Sequence, residues 1–72
     1  MKDIDYLYKD IFTPQGTVKN VGREACKRLI EACNSYYFDK YKDFADFGDV
    51  ESGFMNVENI QKFVFSHFEK IN

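Results

Sequence analysis

The chain has 72 residues, with 10 basic against 12 acidic side chains, which bounds it to one domain without a strong field of either sign. A chain this short buries only ~60% of the surface that its unfolded form exposes, so neither a second lobe nor a deep substrate cleft fits. A hydrophobic content of 44% and thirteen Phe and Tyr residues, with no Trp, argue for a packed core rather than disorder.

The first apolar pattern predicts a helix over residues 3–12. Asp3 is placed to cap it, and Ile4, Leu7, Tyr8, Ile11 and Phe12 recur at helical spacing. Thr13-Pro14-Gln15-Gly16-Thr17 breaks the chain. Asn20 is the expected cap of a second helix over 20–44, whose stripe of Cys26, Leu29, Ile30, Cys33, Tyr37, Tyr41 and Phe44 spans about 120°. Residues 46–55 hold two glycines and three acids and read as the main loop, with a short hairpin near 48–55 left open. Asn56 then caps a third helix over 56–71, with Val57, Ile60, Val64, Phe68 and Ile71 on its inner face. Lys62 to Phe68 also alternates as a strand would, but the helical period persists over more residues. The expected fold is all-α, a compact three-helix bundle forming a single domain over residues 1–72.

Few residues are suited to chemistry. Cys26 and Cys33 are seven apart on one helix, ~10 Å between Cα atoms, beyond the ~7 Å reach of a disulfide. They read as buried thiols. His67 is the only histidine, and no phosphate loop or nucleophile motif accompanies it. The cysteine spacing does not suit structural zinc. The loop around Gly53 lacks the oxygen ligands of a calcium site, with Gly48 and Val50 at ligand positions and Asn59 where a bidentate Glu is needed. No enzyme activity, metal or cofactor is therefore expected. No uncharged apolar run approaches the ~18 residues of a membrane span. Met1-Lys2-Asp3-Ile4-Asp5 puts two acids ahead of any apolar stretch, unlike a signal or transit peptide. Both point to a cytoplasmic, intracellular protein with no membrane partner.

Nucleic acid is a secondary alternative. Gly16-Thr17-Val18-Lys19, ahead of a helix carrying Arg23, Lys27 and Arg28, resembles the turn entering the recognition helix of helix-turn-helix regulators. That resemblance implies a DNA-binding regulator using Lys19, Arg23 and Lys27. The chain departs from it in leaving no room for the usual connecting turn. Residues 1–35 also balance six bases with five acids, and DNA affinity is built mainly on positive charge.

The thirteen rings are the main functional signal. Tyr8, Phe12, Tyr37, Tyr41, Phe44, Phe63 and Phe68 fall on or beside a core stripe, and Phe47 and Phe54 lie in the loop. Tyr6, Phe38 and Phe65 each point about 90° or more away from their stripe, and Tyr36 sits at an edge. Aromatic residues are enriched as interface anchors. Between residues 39 and 58 the acids outnumber the bases, and Asp39, Asp43, Asp46 and Asp49 form the expected acidic rim. The sequence therefore predicts a non-enzymatic module that binds another protein or itself through Tyr6, Tyr36, Phe38 and Phe65. An obligate homodimer on the same rings is a further alternative. Small cofactor-free domains of this size often regulate or inhibit larger machines, an expectation that rests on size alone.

Overall fold

The structure, a computed structural model, describes residues 3–67. Helix α1 spans Asp3–Ile11, α2 spans Arg23–Tyr41 and α3 spans Val57–His67, with two short strands, β1 at Gly48–Asp49 and β2 at Phe54–Met55, between α2 and α3. The chain is mostly helical, but the antiparallel pair β1–β2 means that an all-α bundle describes it incompletely. The predicted tail of the third helix, residues 68–71, lies outside the described residues.

The connection from α1 to α2 is more ordered than a simple break. The Phe12 N–H still donates to the Tyr8 carbonyl at 2.8 Å, and Phe12 then pairs with Val18 in an isolated antiparallel bridge. The Thr13 N–H donates to the Thr17 carbonyl at 2.8 Å, and that of Lys19 to the Ile11 carbonyl at 2.7 Å. Residues through 19 are thus engaged with the end of α1, the Val21 N–H bonds back to the Lys19 carbonyl at 2.9 Å, and α2 starts three residues later than predicted. Its cap is Gly22, in extended conformation and without a side-chain bond, rather than Asn20.

The other end of α2 also falls short of the prediction. Lys42 adopts a left-handed conformation, φ 56°, with its N–H bonded to the Phe38 carbonyl at 2.8 Å. This ends the helix at Tyr41, because a left-handed residue closes the last turn and redirects the chain. Phe44 therefore leaves the stripe that periodicity had extended to it. Asn56 does cap α3, its Oδ1 accepting from the Asn59 N–H at 3.2 Å.

Between these helices the hairpin folds on tight turns. The Gly48 φ is 126°, and a Cβ there would meet the Phe54 carbonyl oxygen and sit 2.9 Å from Met55 Cα. Only glycine fits that position without strain. Asp46 accepts from the Gly48 N–H at 3.1 Å and from Asn56 Nδ2 at 3.3 Å, while Asn59 Nδ2 donates to the Asp46 carbonyl at 2.8 Å. These bonds tie the loop to the start of α3. The Asn56 N–H donates to the Phe47 carbonyl at 3.0 Å, which holds Phe47 against the core.

The core is continuous across all three helices. Ile4 and Ile11 of α1, Leu29, Ile30 and Cys33 of α2, and Ile60 and Val64 of α3 are fully enclosed, with Tyr8, Phe12, Phe47 and Phe63 packed around them. Burial of these apolar side chains is the main source of stability, at ~1.5–3 kcal/mol each. Among the described residues the ion pairs Lys9–Asp5, Lys27–Glu24 and Lys62–Glu58 lie within single helices and are largely exposed, so each adds little.

Candidate functional site

The structure sorts the rings differently from the helical stripes in several places. Tyr6, Phe38 and Phe65 are exposed, as their phase predicts. Tyr36 is half-buried, edge-on to Phe63 at 5.8 Å and to His67 at 6.2 Å. Tyr41 and Phe44, expected in the core, are exposed, because α2 ends at Tyr41 and Lys42 turns the chain outward. Phe47, expected in the loop, is buried, packing on Phe63 at 5.0 Å and on Tyr37 at 5.8 Å. Phe54 is exposed at the hairpin, with the Arg23 guanidinium 5.9 Å from its ring centre.

Among the described residues, one pair of exposed rings is assembled into a unit. Phe38, on the last turns of α2, stacks on Phe44 with centroids 5.0 Å apart and planes at 27°. Phe44 is 77% exposed and Phe38 41%. Offset stacking of this kind favours the pair beyond area alone, which lets two large apolar rings stand together at the surface. The Lys42 ammonium lies 6.0 Å from the Phe38 ring centre and donates to the Asp39 carbonyl at 3.0 Å. The Asp43 carboxylate accepts from the Phe44 N–H at 2.8 Å, fixing the direction in which Phe44 leaves the helix end. Beside the rings, Asn34, Ser35 and Asp39 line a shallow depression with them. The result is an aromatic knob with Asp39 and Asp43 at its margin.

The remaining predicted anchors are distributed over other surfaces. Phe65 stands edge-on to Tyr8 at 6.0 Å, across the α1–α3 junction. Tyr6 projects from α1 and Tyr36 faces α3, so the four rings do not form one patch. The predicted acidic rim divides in the same way. Asp46 and Asp49 serve the hairpin, Asp49 accepting from the Glu51 N–H at 3.0 Å, whereas Asp39 and Asp43 border the knob. Sequence phasing misses Phe44 as an anchor. The signal was Lys42-Asp43 ahead of it, since an Asp that can bond the next N–H favours a turn over helix continuation.

The basic residues of the DNA alternative are held on three separate partners. Lys19 Nζ donates to the Lys9 carbonyl at 3.3 Å, Arg23 lies over Phe54, and Lys27 pairs with Glu24 at 3.6 Å.

The reactive groups are engaged structurally. Both cysteines are free thiols and both are buried. Burial pushes the Cys33 thiol from 9.0 up to about 12, so at neutral pH it stays protonated and a poor nucleophile. The His67 Nε2 lies 2.7 Å from the Tyr41 hydroxyl, while its Nδ1 is 3.1 Å from the Phe63 carbonyl and 2.9 Å from Ser66 Oγ. A proton on Nδ1, donated to the Phe63 carbonyl, leaves Nε2 to accept from the tyrosine, so one tautomer satisfies both ends of the ring. Among the described residues no three His, Cys, Asp or Glu side chains converge to hold a metal ion, and no helix is long and apolar enough to cross a membrane. The chain matches no protein-family model, no curated protein and no solved structure.

Proposed function

We propose that this chain is a small, non-enzymatic protein-interaction module that docks through the Phe38–Phe44 knob. The observation that supports this reading most directly is the exposed stack itself, two Phe rings 5.0 Å apart at the end of α2. Exposed apolar side chains are ordinary when they stand singly, but rings gathered and oriented at a surface are the usual form of an interface anchor. Asp39 and Asp43 at the margin suit a protein partner that surrounds an apolar pocket with lysine or arginine. In that position they steer encounter and set register more than they hold the complex.

The test substitutes Phe38→Ser and Phe44→Ser separately, measuring thermal stability alongside capture of partners by the tagged chain in its native host. The expected result is lost capture with stability changed by under ~1 kcal/mol. A loss of ~3 kcal/mol or more, the scale of a core truncation, would show that the rings hold the fold instead and would sink the reading.

A further inference from the structure

The knob has a counterpart on the same chain. Between α1, the 13–16 loop and α3 lies a groove of about 580 Å³. Tyr8 and Phe12, stacked at 4.4 Å and both buried, lie beneath it, and Phe65, 53% exposed and edge-on to Tyr8, lines it at the surface. Along its rim stand Lys9, paired with Asp5 at 3.6 Å, and Lys19, whose Nζ donates to the Lys9 carbonyl at 3.3 Å, two bases against one carboxylate. The knob carries the opposite balance, Asp39 and Asp43 against Lys42. No residue lines both features, and Phe44 is exposed rather than seated in its own groove.

We infer that the groove receives the Phe38–Phe44 knob of a second copy of this chain, with Phe44 against Phe65 and with Asp39 and Asp43 facing Lys9 and Lys19. This inference rests on the knob being a docking element and names its partner. The complementarity has two parts that point the same way. Aromatic rings favour edge and offset contacts with other rings, which the exposed Phe65 offers. Acidic margins favour a basic rim and are repelled by an acidic one. A twofold pairing makes the knob-in-groove contact twice, so a small surface gains the area that a single contact would lack. The groove is also built in advance, because the Lys19 N–H to Ile11 carbonyl bond and the Gln61 Nε2 to Gly16 carbonyl bond, at 2.7 and 2.8 Å, hold its rim in place. A preformed receptor avoids the ordering cost of binding.

Sedimentation equilibrium of the full chain, from micromolar to millimolar, tests this. The expected result is concentration-dependent association that Phe44→Ser weakens by about 30-fold, the scale of an interface hot spot, with the melting temperature close to the parent's at concentrations where both are monomeric. A chain carrying Asp39→Lys with Asp43→Lys, or one carrying Lys9→Glu with Lys19→Glu, associates weakly, and the chain with all four substitutions recovers. A monomer at every concentration overturns the inference, as does association that the fourfold exchange fails to restore. If the parent is monomeric while Phe44→Ser still abolishes capture of a different protein, self-docking fails and the knob reading stands. If Phe44→Ser melts far below the parent, both fail.

Discussion

Phe44 and Phe47 lie three residues apart, yet Phe44 is 77% exposed and Phe47 only 2%. Their hydrophobicity is identical, so it cannot account for the difference. Phe44 follows a left-handed Lys42 and is aimed outward by the Asp43 carboxylate on its own N–H, where its ring contact is with Phe38. Phe47 follows Asp46, which anchors the hairpin to Asn56, and its carbonyl accepts from the Asn56 N–H, so the ring is pulled into the layer formed by Tyr37 and Phe63. Polar turn chemistry over six residues decides which ring joins the core and which is presented to a partner.

The largest effect should come from the buried layer. Phe63→Ala removes a ring that meets Tyr36, Tyr37, Phe47 and His67, and urea unfolding should show a loss of ~3–5 kcal/mol. A loss no greater than that for Phe44 would abolish the contrast. Gly48→Ala should cost about 2 kcal/mol, since it places a side chain at φ 126° against β2. Faster amide exchange at Asn56 should accompany it as Phe47 loosens.

The pH dependence of stability probes the same buried side through Cys33, one helical turn before Tyr37. Because burial raises the folded thiol from 9.0 to about 12, the unfolded chain releases that proton first. Stability should therefore fall as pH rises through that window, by up to ~1.4 kcal/mol per unit from this group. Comparison of the parent with Cys33→Ala isolates the term, and equal slopes would count against it. Asp46→Ala should cost about 1 kcal/mol through its lost bonds to Gly48 and Asn56. The smallest effect on stability is expected for Phe44→Ser, under ~1 kcal/mol in the same urea titration, and a loss of ~3 kcal/mol or more would erase the distinction between the two rings.

Much of this arrangement is legible in the sequence wherever a regular period persists. The stripe of Cys26, Leu29, Ile30 and Cys33 is buried as its spacing requires, and Asn56 caps α3. Exposure of Tyr6, Phe38 and Phe65 follows from the same phasing. The period misleads beyond helix ends, because it carries no information about where the backbone turns. Extending the stripe to and past the last turn puts Tyr41 and Phe44 in the core, and nothing local draws Phe47 out of the loop, because hairpin closure depends on contacts with α3. The acidic residues divide for a related reason. An aspartate in a loop can bind a partner or bond its own backbone, and composition does not separate Asp43 from Asp46.

The bond from Gln61 Nε2 to the Gly16 carbonyl spans 45 residues of chain. All of α2 and the hairpin lie within the loop it closes. Such a closure forms late in folding, after local helices and turns have shortened the effective loop, because its entropy must be met before the contact contributes. It should correspondingly be among the first links to open when α3 lifts from α1. Gln61→Ala should therefore speed unfolding while leaving the folding rate nearly unchanged in stopped-flow kinetics.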